Sequence, residues 1–176
     1  TYLRWFHNCT AITLTPTREQ RARLISAGFR NVEVLSRGVD CKRFSPNLRC
    51  YALRSAWGVP VDGLVVLYVG RLASEKNLPL AIRAFKAIRQ QQPNARLVFV
   101  GDGPLRKTIR TQLPDAVLSG LQHGEALARH YASADIFLFP SQTDTFGNVV
   151  TEAMASGLPV VAFNTAAAAE HLCHNF

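Results

Sequence analysis

The sequence contains no apolar run that approaches the roughly 20 residues needed to cross a bilayer. Its first residues, TYLRWFHNC, also lack the layout of a signal peptide. These residues already belong to an amphipathic stretch. We therefore expect this chain to continue a longer fold, and we expect a cytoplasmic protein.

Cysteines are few, and their spacing is not that of a metal site. The four cysteines, at positions 9, 41, 50 and 173, form no CxxC pair and have no histidines at zinc-site spacing. Free thiols in a reducing cytosol are the favoured interpretation, ahead of a disulfide framework or zinc.

Acidic residues are outnumbered, with 12 against 20 basic residues and a net charge of +8. The basic residues are scattered without interleaved aromatics or a nucleic-acid motif, so we expect no nucleic-acid partner. Solvated faces are the default explanation, followed by attraction to an anionic membrane or a nucleotide. A hydrophobic content of 48% with 18% charged residues excludes a disordered chain.

Short apolar runs alternate with helical patterns along the chain. The runs are rich in Val, Leu, Ile and Phe without clean alternation, which is typical of strands buried on both faces. Alternating elements of this kind predict an α/β fold with a doubly wound parallel sheet. The predicted strands are 11–15, 32–36, 64–70, 96–101, 115–119, 135–139 and 159–163, and the predicted helices lie near 17–27, 50–57, 77–91, 103–112, 124–133 and 147–156. Residues 37–50 are charged, contain Gly and Pro, and predict an interdomain linker.

The strand end at 70–76 carries two cations. Gly70 permits a tight turn, and Arg71 and Lys76 follow within a few residues. A guanidinium fork and a mobile ammonium on one loop suit a diphosphate. A solvated basic loop is an equally good interpretation of this spacing alone.

The strand end at 101–104 superficially resembles a dinucleotide-binding turn. The third glycine of that fingerprint is replaced by Arg106, and no ribose-binding acid stands at the expected offset. A nicotinamide-dependent oxidoreductase is therefore disfavoured. A tight turn into a helix, with Pro104 in its first turn, is the better interpretation.

The most informative strand end runs from Asp144 to Glu152. Gly147 opens a predicted helix whose free N–H groups form an anion site. The two carboxylates can accept hydroxyls from sugar rings on either side of a bound diphosphate. The alternative is that the acids only complement the helix dipole. It fits Asp144 well and Glu152 less well, because Glu152 has apolar neighbours.

The motifs together carry a family resemblance. Residues 144–161 read DTFGNVVTEAMASGLPVV, and they resemble the Glu-x7-Glu hallmark of the retaining GT-B glycosyltransferases of family 4, the group 1 glycosyl transferases. The segments 38–46, 70–76, 100–104 and 131–135 follow that family's order, so the resemblance covers nearly the whole chain. Asp144 stands where the family usually has Glu, one methylene longer, which bears on reach and donor choice.

The resemblance implies a Rossmann-like GT-B C-terminal domain with a remnant of the N-terminal domain. Residues 1–36 would be that remnant of the acceptor domain, 37–50 the linker, and 51–176 a nucleotide-sugar-binding domain incomplete at its C-terminus. The helix starting at Tyr2 and the segment after Ala166 should then pack weakly, because their partners are missing.

The resemblance also implies the site. Arg71 and Lys76 would hold the diphosphate, Glu152 the ribose hydroxyls, and Asp144 a hydroxyl of the donor sugar, with Arg71, Lys76 and Asp144 as the catalytic set. Residues 119–122 would lie beside the base. The backbone amides that would reach the phosphates and the sugar belong to Phe146, Gly147, Asn148 and Val149.

The implied activity is transfer of a hexosyl group from a UDP- or GDP-linked sugar to a lipid or saccharide acceptor, with retention. No metal or other cofactor is expected. Glycolipid or polysaccharide synthesis would place the protein in the cytoplasm, with peripheral contact to the anionic inner membrane face. The isolated chain would be inactive, and a catalytically silent nucleotide-binding fragment of a truncated gene is the alternative.

Overall fold

A computed structural model describes residues 1–142, 144 and 146–172. Its strands are β1 (Thr13–Thr15), β2 (Val32–Val34), β3 (Val65–Val69), β4 (Arg96–Val100), β5 (Val117–Gly120), β6 (Ile136–Phe139) and β7 (Val160–Ala162). Its α-helices are α1 (Tyr2–Asn8), α2 (Arg18–Ser26), α3 (Tyr51–Ala56), α4 (Leu78–Gln91), α5 (Arg106–Gln112), α6 (Gly124–Ala132), α7 (Asn148–Ala155) and α8 (Ala166–His171). Short 3-10 turns cover Pro46–Leu48 and Ser74–Lys76.

The strands form two parallel sheets. One pairs β1 with β2, and the other has five strands in the order β5-β4-β3-β6-β7. The chain moves outward from β3 to β5 and then crosses back to place β6 on the other side of β3. This is the reversal at which open α/β sheets bind ligands. The predicted α/β Rossmann-like doubly wound sheet is confirmed.

The five-stranded sheet is built around β3 and β4. All five residues of β3 are buried, as are four of the five in β4. Val, Leu, Tyr and Phe fill these positions because helices cover both faces, which removes the need for a polar side. The ring of Tyr68 lies 5.6 Å from that of Phe99 on the neighbouring strand.

The helix predicted near 103–112 begins only at Arg106. Gly103 and Pro104 instead form a turn that packs on the preceding loop, where the Leu105 amide donates to the Leu72 carbonyl oxygen at 2.9 Å. A Cβ at Gly103 would lie 2.5 Å from that oxygen. This backbone contact keeps residues 103–105 out of the helix, so α5 starts later than predicted and Pro104 precedes its first turn.

An ion network fastens the end of the 37–50 segment to the sheet. Asp135 accepts from Arg49 at 2.6 Å, from Arg54 at 2.9 Å and from the Val65 amide at 2.8 Å. The Arg54 side chain is only 6% exposed. The assignment of 1–36, 37–50 and 51–176 to separate domains stays a prediction.

The expectations about the two ends had different outcomes. No residue of α1 is buried, and Tyr2 and Trp5 are 71% and 64% exposed, which confirms weak packing there. The expectation for the segment after Ala166 is wrong at Ala167 and Ala168, which are buried. Alanines let α8 approach closely, and the Ala167 amide donates to the Phe146 carbonyl oxygen at 2.8 Å. Residues 173–176 lie outside the described residues.

None of the helices in the described ranges is both long and apolar enough for a membrane crossing.

Candidate functional site

A cleft of about 510 Å³ opens at the carboxyl ends of β3 and β6. Every residue predicted to bind the diphosphate or the donor sugar lines it, whereas Glu152 and residues 119–122 do not. The lining residues are Arg37, Val69, Gly70, Arg71, Lys76, Phe139, Asp144, Phe146, Gly147, Asn148 and Val149. The topology explains this meeting, because parallel strands bring loops that are distant in sequence to one edge of the sheet.

Close backbone packing shapes the loop after β3. A Cβ at Gly101 would lie 2.0 Å from the Gly70 carbonyl oxygen, so only glycine allows the two strand-end loops to approach this closely. The buried Tyr68 hydroxyl donates to the Arg71 carbonyl oxygen at 3.0 Å. Burial raises the pKa of Tyr68 well above its usual range, with the charges of Asp144 and Glu75 adding to the effect. Tyr68 therefore stays a neutral donor that fixes the turn carrying Arg71.

Lys76 and Asp144 form an ion pair across the cleft. The Lys76 ammonium donates to both carboxylate oxygens of Asp144, at 2.7 and 2.8 Å. The two side chains are 17% and 23% exposed. The sequence indicated that both residues face one cleft, but it did not predict that they bind each other. The pair joins the loop after β3 to the segment before α7.

Arg71 also has an acidic neighbour. Its guanidinium forms an ion pair with Glu75, four residues further along the chain. Arg71 is 68% exposed, so this contact is screened and weak compared with a buried pair. Both predicted phosphate-binding cations therefore contact carboxylates of the same chain.

The N-terminus of α7 points a helix dipole at the cleft. Gly147 precedes the helix with φ 83° and ψ 60°, a left-handed conformation that glycine adopts without strain. No side chain of the described residues caps this end. The first amides of α7 are therefore suited to an anion. Thr143 and Thr145, on either side of Asp144, lie outside the described residues.

Glu152 lies on α7, three residues after Val149, and is not among the residues that line this cleft. The Tyr131 hydroxyl donates to Glu152 Oε2 at 2.9 Å. Burial raises the pKa of Glu152, and the hydrogen bond from Tyr131 acts in the opposite direction. Burial also raises the pKa of Tyr131 well above its usual range, and the Glu152 charge adds to that rise. Tyr131 is thus a neutral donor to a half-buried carboxylate.

A second cavity of about 350 Å³ lies beside the first, and the two share Val69, Gly70 and Arg71 as walls. Leu121 and Gln122 line its far side, from the loop that was predicted to lie beside the base. The two cavities together offer adjoining polar and apolar compartments. Their assignment to parts of a ligand stays a prediction.

Sequence reasoning missed several residues that support or line the site. Arg37 was assigned to the linker, yet it lines the main cleft. Tyr68 and Tyr131 were not predicted as supporting residues, because a hydroxyl that turns toward a functional loop leaves no trace in hydrophobic patterning. Glu75 stood next to Lys76 in the sequence, and its spacing of four from Arg71 was an available signal for an ion pair.

The family model described as "Glycosyl transferases group 1" matches residues 52–176. A GDP-mannose-dependent alpha-mannosyltransferase of Corynebacterium glutamicum is 38% identical over 160 residues, covering 91% of this chain and 38% of the relative. The sulfoquinovosyl transferase SQD2 of Arabidopsis thaliana is 38% identical over 168 residues, covering 91% of this chain and 32% of the relative.

Among solved structures, Anabaena Alr3699/HepE in complex with UDP superposes with a TM-score of 0.80 at 25% identity, covering 94% of this chain and 48% of that one. The chain thus spans well under half the length of the curated relatives given above. The segment that the family model matches contains the five-stranded sheet, all the predicted site residues and every residue that lines the two cavities except Arg37. The chain belongs to the glycosyl transferases group 1 family.

Proposed function

We propose that the cleft binds a nucleotide sugar and that this chain supplies the donor-binding part of a hexosyltransferase. The observation that carries the proposal is the convergence of Lys76, Arg71, Asp144 and the uncapped N-terminus of α7 on one cleft. Cations and helix amides bind a diphosphate, and a carboxylate binds the hydroxyls of a hexose. A GDP-mannose-dependent relative and a UDP-bound neighbour support a donor of this class.

Each residue has a separate part in this proposal. Arg71, Lys76 and the amides of residues 146–149 would bind the diphosphate and stabilise its negative charge as the sugar leaves, which is an electrostatic contribution to catalysis. Asp144 would accept a hydroxyl of the transferred sugar. Glu152 would accept ribose hydroxyls. Because Lys76 already contacts Asp144, an arriving phosphate either shares the ammonium or displaces the carboxylate.

The finer features belong to the same proposal. Retention of anomeric configuration would follow from front-face attack, with a lipid or saccharide acceptor and no metal or other cofactor. Glycolipid or polysaccharide synthesis at the cytoplasmic membrane face would suit a chain with a net charge of +8, which an anionic surface attracts. The sugar and the base of the donor are left open between UDP- and GDP-linked hexoses.

Calorimetric titration with UDP, GDP and their hexose conjugates tests the proposal. Lys76→Ala should weaken nucleoside-diphosphate binding by about 1.5–3 kcal/mol, the range for hydrogen bonds to charged groups. Lys86→Ala is the matched control, because Lys86 is exposed on α4 outside both cavities. Unchanged affinity in the Lys76 variant would mean that Lys76 serves only its ion pair with Asp144 and does not bind the diphosphate.

Asp144→Asn separates the sugar from the diphosphate. Removing this charge releases Lys76 from its ion pair, so nucleoside-diphosphate affinity should hold or rise while nucleotide-sugar affinity falls. If Asp144 only complements the helix dipole, the variant should lose stability, by a few tenths to about 1 kcal/mol, without selectivity between ligands. Equal loss of both ligands would refute the assignment of Asp144 to the sugar.

A further inference from the structure

Tyr131 and Glu152 form a side-chain hydrogen bond between two helices, in addition to the apolar packing of the tyrosine ring. Tyr131 is completely buried on α6, and its hydroxyl donates to Glu152 Oε2 on α7 at 2.9 Å. A phenolic hydroxyl carries a single proton, and here that proton goes to the carboxylate. A buried tyrosine that donates its hydrogen bond to one carboxylate oxygen also fixes the position of the other oxygen.

The ring of Tyr131 is itself held on two sides. Phe44 meets it edge-on with ring centroids 5.7 Å apart, and Phe137 of β6 lies at the same centroid distance. Phe44 comes from the 37–50 segment and is only 7% exposed. Aromatic pairs prefer defined relative orientations, so these two neighbours restrict the position of the Tyr131 ring. The hydroxyl therefore has little freedom to follow Glu152 if the carboxylate rotates.

We propose that Tyr131 is a positioning residue, which fixes Glu152 Oε2 so that Oε1 is left to accept a ribose hydroxyl, and that Phe44 supports it. This inference rests on the proposed function, in which Glu152 binds the ribose. Sites that hold a ligand hydroxyl need the accepting group locked by a supporting shell of packing and hydrogen bonds. The Tyr131 hydrogen bond also acts to lower the pKa of Glu152 against the larger effect of burial, which favours the ionised form that accepts hydrogen bonds.

Tyr131→Phe tests the inference, because it removes one oxygen and keeps the ring. UDP and GDP binding should weaken about tenfold, because a misplaced Glu152 would lose about one hydrogen bond between its charged carboxylate and the ribose. Inorganic pyrophosphate has no ribose, so its affinity should not change. The pH below which UDP binding is lost should move upward, because Glu152 loses the hydrogen bond that lowers its pKa. Tyr51→Phe is the matched control, since Tyr51 is 70% exposed and far from α7 in the chain.

Phe44→Leu provides a second variant that keeps the Tyr131 hydroxyl. It should cause a smaller loss that is again confined to ribose-containing ligands. Melting temperatures show whether either variant is folded, and the Phe44 variant tests the inference even if the Tyr131 variant does not fold.

The outcomes distinguish this inference from the proposed function. Wild-type UDP affinity and an unmoved pH midpoint in Tyr131→Phe, together with weak binding in Glu152→Gln, would overturn the positioning role alone. Equal loss of UDP and pyrophosphate in both the Tyr131 and Phe44 variants would also overturn it, by showing general disturbance of the cleft. Failure of the wild-type protein to bind UDP or GDP would instead contradict the proposed function.

Discussion

The N-terminal unit, from α1 to β2, and the five-stranded sheet contain the same types of element but bury them very differently. All five residues of β3 are buried, whereas β1 alternates between buried and exposed positions. No residue of α1 or α2 is buried, while α4 buries Leu78, Ala81, Ile82 and Phe85. The N-terminal unit has apolar side chains, but it has too few layers to cover them.

The comparison shows that stability in this protein depends on layering and not on composition alone. The N-terminal unit relies on local polar contacts, such as the Thr17 hydroxyl that accepts from the Gln20 amide at 3.1 Å. The five-stranded sheet adds a partly buried ion network centred on Asp135 and an apolar core covered on both faces. The two regions should therefore respond differently to matched substitutions.

The largest difference should come from charged pairs. Asp135→Ala leaves the buried Arg54 guanidinium without its carboxylate, and breaking a buried pair costs about 3–5 kcal/mol of unfolding free energy. Glu33→Ala breaks an exposed contact with Arg21 and should cost less than about 1 kcal/mol. Urea denaturation of both variants measures the difference. Equal losses would contradict the view that layering decides how much a charged pair contributes.

Leucine truncation should give the next largest difference. Leu97 on β4 is fully buried, and Leu97→Ala should cost about 2–5 kcal/mol through lost burial and the cavity left behind. Leu14 on β1 is 52% exposed, so Leu14→Ala should stay within about 0.5 kcal/mol. Thermal unfolding followed by circular dichroism compares the two variants. A large loss of unfolding free energy in Leu14→Ala would show that the Leu14 side chain is buried in solution.

The smallest effect concerns pH. Burial raises the pKa of Glu152 in the folded state, so its favourable contribution is present below the unfolded pKa and is lost as pH rises through the folded pKa. Glu152→Gln should therefore raise the melting temperature at pH 7, and the gap from wild type should close below about pH 4. Glu33→Gln, at an exposed position of β2, is the matched control. A gap for Glu152→Gln that is independent of pH would contradict the assigned cause.

Much of the fold could be predicted because the strands of the sheet have a local sequence signal, a short apolar run. VVLYV at 65–69 and RLVFV at 96–100 are apolar runs between helical patterns, and both became central strands of the sheet. The start of α5 could not be predicted, because it depends on a backbone contact between Gly103 and Leu72, thirty-one positions apart in the chain. The burial of Ala167 and Ala168 likewise depends on packing against the Phe146 loop.

The candidate site also has features that the sequence predicted and features that it could not predict. Motif order predicted Arg71, Lys76, Asp144, Glu152 and the α7 N-terminus in one cleft, because parallel strands leave their carboxyl ends at one edge. All of these except Glu152 line it. Motif order could not predict which groups bind each other there. The Lys76–Asp144 pair depends on side-chain directions across 68 residues of chain.

The sequence by itself determined the element order, the parallel sheet and the family, since these follow from local hydrophobic patterning and from motifs with fixed spacing. The tertiary structure alone decided that Lys76 is engaged by Asp144, that Tyr131 holds Glu152, and that Asp135 fastens the 37–50 segment. Those contacts join residues far apart in the chain, and their energies depend on burial and on distances of a few ångströms. Only the folded arrangement of the layers sets either quantity.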